Sequence, residues 1–152
     1  MHFERALWDD IRFKELTALL DKDLHGNYGD LQKTYDEKNI IQDNSYVVLC
    51  IDKERSVACG CIRETDNNST VELKRMFTLK EERGKGIGKI LVEELEKWAF
   101  ELKKKRMILE TGIKQEAAIA MYMKIGFIKI ENYGDYKGNT NSICMAKEIR
   151  LK

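Results

Sequence analysis

Three glycines at alternate positions, in Arg83-Gly84-Lys85-Gly86-Ile87-Gly88, separate a strand-like run from a long amphipathic segment. The run before them is Val71 to Thr78; after them Ile87, Ile90, Leu91, Leu95, Trp98 and Leu102 recur at helical spacing. Glycines lack the Cβ atoms that would hold a ligand away from the backbone. A strand, a bare turn and a helix start together build an anion site, because unpaired N–H groups and the positive end of the helix dipole point the same way. Arg83, Lys85 and Lys89 add full positive charges. The plainer alternative is that the glycines only shape a loop.

Two familiar phosphate loops fit poorly. A nucleoside-triphosphate loop needs Ser or Thr after Gly-Lys to hold magnesium, and Gly88-Lys89 is followed by Ile90. A dinucleotide loop needs Gly-x-Gly-x-x-Gly straight after the strand and an acidic residue about twenty positions on. Glu110 lies at a suitable distance, but Lys89 stands where the third glycine belongs and Lys80 to Arg83 intervene. That module remains as a rival.

The hexapeptide resembles the Arg/Gln-x-x-Gly-x-Gly/Ala signature of the GCN5-related N-acetyltransferase (GNAT) family. Downstream, Ala118-Ile119-Ala120-Met121-Tyr122-Met123-Lys124-Ile125-Gly126-Phe127 is similar to that family's Ala-Ile-x-Leu-Tyr-x-Lys-x-Gly-Phe segment. Met121 replaces the usual Leu, and Gln115 stands where many members have Asn. The resemblance runs from Val71 to Phe127, over a third of the chain.

Composition sets the outer limits. A chain of 152 residues is long enough for one core, and we expect a single domain over 1–152. With 27 Lys and Arg against 26 Asp and Glu, no global field draws in nucleic acid or a membrane surface. Lys103 to Arg106 form a basic cluster at a predicted helix end, where cations complement the dipole. Cys50, Cys59, Cys61 and Cys144 lack metal-type spacing, and His2 and His25 are the only histidines, so no metal is expected. Cys59 and Cys61 would share one strand face as small core residues. Early acidic residues, Glu4, Asp9 and Asp10, argue against a signal peptide, and a reducing cytoplasm is the expected compartment.

The pattern along the chain predicts an edge strand at His2–Ala6 and a helix carrying Phe13, Leu16, Leu19, Leu20 and Leu24. Gly26 to Asp30 should break that helix, with a second from Leu31 to Lys38. A hairpin follows, Tyr46–Ile51 with Val57–Arg63 around Lys53-Glu54, then the strand before the glycines. After the long helix come a strand at Met107–Thr111, a helix at Gln115–Ile125, and strands at Phe127–Tyr133 and Ser142–Glu148. The fold class is mixed α/β, one sheet covered by helices. The resemblance implies a GNAT fold: a mostly antiparallel sheet with a splayed strand pair and helices on both faces. It implies acetyl-CoA as cofactor, its pantetheine arm along Met76, Phe77 and Thr78. The diphosphate would lie on Arg83, Gly84, Lys85, Gly86, Ile87, Gly88 and Lys89.

Transfer of acetyl to an amine needs a neutral nucleophile and a stabilised leaving thiolate. A lysine-like amine is about 0.04 % neutral at pH 7, a cost of roughly 4.6 kcal/mol that a carboxylate base acting through water would offset. By resemblance the base is Glu110, on the strand before the second motif, or Glu72, on the strand before the glycines. Tyr122 is implied as the group at the cofactor sulfur. A phenol is a weaker acid than a thiol by about 2 kcal/mol, so Tyr122 would act mainly as a hydrogen-bond donor. No Ser–His or Cys–His arrangement suggests an acyl-enzyme, so direct attack in a ternary complex is expected.

The family places the acceptor, a small-molecule or peptide amine, near His25 to Asp30 and Tyr133 to Thr140. There Tyr28, Tyr133, Tyr136, Asp30 and Asp135 could hold a cation. A non-catalytic acyl-CoA sensor of the same fold is the alternative function. Dimers are frequent among such proteins, which leaves a homodimer open.

Overall fold

Successive side chains of the first strand, β1 (His2–Leu7), reach opposite layers. Glu4 accepts a hydrogen bond from Arg12 of helix α1 (Ile11–Tyr28) at 2.8 Å, while Arg5 forks onto Glu101 of helix α2 (Ile87–Glu101). Side chains alternate across a strand, so α1 and α2 cover opposite faces of one sheet. The chain is described from a computed structural model over residues 1–28 and 45–150.

The remaining elements are β2 (Ser45–Asp52), β3 (Arg55–Glu64), β4 (Thr70–Thr78), β5 (Arg106–Gly112), α3 (Glu116–Lys124), β6 (Ile128–Ile130) and β7 (Ser142–Glu148). Strand order is β1-β2-β3-β4-β5-β7-β6, with β7 inserted beside β5. Neighbours are antiparallel except β4 and β5, which run parallel. This is the mixed, mostly antiparallel sheet with helices on both faces that the resemblance implies. Among the described residues, no helix is long and apolar enough to cross a membrane.

The β2–β3 hairpin turns at Lys53 and Glu54, both with positive φ, 50° and 68°. That geometry matches strand twist even without the usual Asn-Gly. From α2, Ile87, Leu91, Val92, Leu95 and Ala99 are buried against the sheet, and Ile90 is turned outward. Trp98 packs edge-on against Tyr46 at 5.2 Å, under the Arg5 guanidinium.

Three sequence expectations change. The inner face of α1 is Phe13, Leu16 and Thr17, with Leu20 partly buried against the core and Leu19 exposed. The helix also runs through Gly26 and Asn27 to Tyr28. An interior glycine costs only about 1 kcal/mol, too little to end a helix anchored this well upstream. The expected helix at Leu31–Lys38 lies outside the described residues. The strand expected at Phe127–Tyr133 shrinks to Ile128–Ile130. Asn132 leaves the sheet because its amide donates to the carbonyls of Tyr136, Asn139 and Ser142, tying the following loop together.

Candidate active site

The site starts from a bulge. Between β3 and β4 the register passes from Cys59↔Phe77 to Cys61↔Lys74, so Gly60 faces both Arg75 and Met76. A Cβ on Gly60 would lie 2.3 Å from Met76 Sδ, so glycine accommodates the doubled side. Arg75 takes φ 58°, a left-handed backbone that costs a non-glycine residue about 1–2 kcal/mol. Its buried side chain holds it there: the guanidinium donates to Thr17 O at 3.1 Å and lies 2.9 Å from Asp21 Oδ1, both on α1. Bulges bend the strand that carries them.

At that bend β4 and β5 part. Their last register pair is Leu73↔Leu109, although β4 continues to Thr78 and β5 to Gly112. Beyond Leu73, β4 therefore has no strand partner on the β5 side among the described residues. The gap opens into a cleft of about 600 Å³.

The glycine turn closes one end of the cleft. Gly84 and Gly86 have φ 82° and 81°, with no atom within 4 Å of where a Cβ would stand. Their role is conformational and leaves the backbone bare. Gly88 serves packing instead, since a Cβ there would meet Met121 Sδ of α3 at 2.8 Å. Helix α2 begins at Gly86 with no side-chain cap and no acidic residue in its first turn. Its leading N–H groups and dipole are thus offered to an anion in the cleft. Arg83 is oriented by Thr78 O at 2.9 Å and Asp23 at 3.0 Å, its guanidinium over the Phe77 ring. Because only torsion opposes a side chain at Gly86, Gly86→Ala should lower the melting midpoint by about 2–8 °C. Circular dichroism melts check this; an unchanged midpoint would show that the turn relaxes freely.

Tyr122, on α3, is 6 % exposed, lines the cleft, and stacks edge-on to Phe127 at 5.6 Å. Burial pushes its phenol above the ordinary value of 10, so the hydroxyl keeps its proton at neutral pH. Gln115, just before α3, also lines the cleft and makes no cap hydrogen bond.

The two carboxylates differ sharply. Glu110 lines the cleft and accepts a 2.6 Å hydrogen bond from the Ser142 hydroxyl. Glu72 is buried outside it, bound by Arg63 at 2.9 Å and by the Tyr133 hydroxyl at 2.7 Å. Of the residues expected at the cofactor, Met76, Phe77, Thr78, Arg83, Gly84, Gly86, Ile87, Gly88 and Lys89 line the cleft. Lys85 does not, and pairs with Glu82 at 2.5 Å. In the expected acceptor region, Tyr133 is occupied by Glu72, Tyr136 is buried and Asp135 is exposed. Asp30 and the side chains of His25 and Tyr28 lie outside what is described.

Lys74 and Arg75 are cleft residues that sequence reasoning misses. The available signal is two adjacent cations inside an apolar strand leading to the glycines. Burial holds the Lys74 ammonium below the ordinary lysine range; Glu72 opposes that shift and Arg63 adds to it.

Comparison with known proteins agrees with this geometry. The model of the Acetyltransferase (GNAT) family matches residues 13–127. An IAA acetyltransferase of Azospirillum brasilense is 36 % identical over 93 residues, 61 % of this chain and 61 % of that protein, so the match spans about three-fifths of the relative. A crystal structure provisionally assigned as an acyl-CoA N-acyltransferase, from Klebsiella pneumoniae, superimposes with a TM-score of 0.81 at 26 % identity. It covers 98 % of this chain and 97 % of its own. An aminoglycoside 6'-N-acetyltransferase complexed with coenzyme A shares the fold at TM-score 0.71 and 18 % identity, covering 100 % of this chain and 99 % of that one.

Proposed function

The chain belongs to the acetyltransferase (GNAT) family, and from that premise we propose that it transfers the acetyl group of acetyl-CoA to a primary amine within a ternary complex. The observation that carries this reading is the parting of β4 from β5 onto an uncapped helix start, with Tyr122 buried in the same cleft. The neighbour complexed with coenzyme A supports the choice of donor.

The donor supplies an acyl group already activated as a thioester. The chain's residues do the rest. Amides at the start of α2, between Gly84 and Gly88, hold the diphosphate, and the one-sided edge of β4 from Met76 to Thr78 pairs with the amide-bearing arm. Glu110 takes one proton from the acceptor ammonium, directly or through one water, and passes it to solvent. The amine nitrogen then bonds to the acyl carbon as the carbon–sulfur bond breaks. The second amine proton ends on the departing thiol, steadied by the Tyr122 hydroxyl. One ammonium and one thioester become one amide, one thiol and one released proton.

Covalent catalysis by cysteine finds no support in this arrangement. Burial pushes the thiols of Cys50, Cys59, Cys61 and Cys144 up, Cys61 to about 12, so none offers a thiolate near neutral pH. Glu72, committed to Arg63 and Tyr133, orders the sheet beside the site and leaves the base role to Glu110.

The test is release of free thiol from acetyl-CoA across a panel of amines and peptides. Thiol release that depends on the acceptor supports transfer. Tight binding of acetyl-CoA with no release from any acceptor would replace this reading with that of a non-catalytic acyl-CoA sensor.

A further inference from the structure

Ser142 stands apart from the cleft, yet its hydroxyl holds the carboxylate assigned to proton removal. It is buried, does not line the cleft, and donates to Glu110 Oε2 at 2.6 Å. In the register of β5 with β7, Glu110 is opposite Cys144 and Gly112 is opposite Ser142. Ser142 and Glu110 are therefore diagonal neighbours on one face of the sheet. Gly112 has no side chain to stand between them.

The backbone of Ser142 is fixed on both sides. Its N–H donates to Asn139 O at 3.2 Å, and its carbonyl accepts from Asn132 Nδ2 at 3.2 Å. The same Asn132 amide donates to Tyr136 O and Asn139 O, which knots residues 132–142 into one unit. That unit meets both of the parting strands. Near its start Tyr133 donates to Glu72 of β4, and at its end Ser142 donates to Glu110 of β5. Glu72 precedes the last register pair, Leu73↔Leu109, and Glu110 follows it, so the loop is tied to both strands where they separate.

We infer that Ser142 is a positioning residue for the transfer: its hydroxyl, held in place by the Asn132 knot, aims the Glu110 carboxylate at the acceptor amine. The inference rests on the reading of Glu110 as the base and adds a residue that touches no reacting atom. A hydrogen bond from a hydroxyl to a carboxylate restricts the carboxylate's rotation and favours its ionised form. The first effect places the oxygen that takes the proton, and the second keeps it able to accept one at lower pH. Other groups also act on this carboxylate. Lys74 and Glu72 of β4, Cys144 of β7 and Tyr136 of the loop make up its electrostatic surroundings, with Arg63 bound to Glu72. From α1, Asp21 and Asp23 are committed to Arg75 and Arg83. None of these is altered by a substitution at Ser142, so a difference between two pH profiles isolates the hydroxyl.

The experiment measures kcat/KM for thiol release from acetyl-CoA, with the best acceptor of the amine panel, as a function of pH. It compares the full chain with Ser142→Ala, Ser142→Thr, Glu110→Gln and the double variant Ser142→Ala with Glu110→Gln. Ser142→Ala should lower kcat/KM about tenfold at pH 7, the loss expected of a hydrogen bond to a charged group. Removing a bond that favours the ionised carboxylate lets it protonate at higher pH, so the acid limb should move up by about one pH unit. Ser142→Thr keeps the hydroxyl and should restore both. In the Glu110→Gln background Ser142→Ala should cost little more, because no carboxylate remains to be aimed. Should Ser142→Ala fold poorly, Ser142→Cys, similar in shape but a weak donor, carries the same expectations. An acid limb that stays in place, or an equal loss in both backgrounds, would overturn the inference and leave Ser142 a packing role. Wild-type activity in Glu110→Gln would remove the base, and thiol release with no acceptor would remove the acetyltransferase reading; the inference falls with either.

Discussion

Glu110→Gln is expected to lower kcat/KM at pH 7 by at least about a hundredfold, the lower end of what a positioned general base contributes. Glutamine preserves shape and can still accept the Ser142 hydroxyl that now binds Glu110 at 2.6 Å, so the strand pair should stay in place. What it loses is the ability to take a proton. The variant must then rely on the small neutral fraction of the acceptor, which rises about tenfold per pH unit below the amine pKa. Its rate should climb with that slope, while the wild type flattens earlier. A pH profile of both proteins separates this from a folding defect, which would not recover with alkalinity. Wild-type kcat/KM in the variant would remove Glu110 from the chemistry.

Tyr122→Phe is expected to lower kcat at least tenfold and to leave the dissociation constant for acetyl-CoA nearly unchanged. Phenylalanine keeps the edge-on contact with Phe127, so packing survives and only the hydroxyl goes. An ordinary phenol is already a weaker acid than a thiol by about 2 kcal/mol. Burial raises the Tyr122 phenol further, so complete proton transfer becomes more unfavourable while hydrogen-bond donation to a developing thiolate remains available. The sign for pH follows. A group whose folded pKa is raised above 10 stays protonated throughout the assay range. Tyr122 ionisation therefore produces no alkaline fall in rate below pH 10. Steady-state kinetics with calorimetric titration of acetyl-CoA decides the matter, and an unchanged kcat would exclude the hydroxyl.

Features written into neighbouring residues are legible in the sequence alone. The glycine turn and α2 follow from torsional freedom and a 3.6-residue repeat, both local properties of Gly84 to Leu102. Tyr122 and Glu110 are reached through the resemblance of the second motif and the strand before it to those of the family. What sequence does not show depends on pairs far apart in the chain. The bulge at Arg75 exists because Gly60 lies opposite, and Arg75 reaches back 58 positions to Thr17. Glu72 is named as a base by resemblance; that its carboxylate is shared between Arg63, nine residues before it, and Tyr133, 61 residues on, depends on strand pairing and loop placement. Gly88 lines the cleft, and the sequence does not show that Met121 of another helix also leaves no room there for a side chain.

The most direct test of the central claim is a crystal structure of the protein with coenzyme A. The diphosphate should rest on the amides between Gly84 and Gly88, the arm should run along Met76 to Thr78, and the sulfur should lie within hydrogen-bond reach of the Tyr122 hydroxyl. A diphosphate bound away from the start of α2, or a sulfur out of reach of Tyr122, would contradict the account.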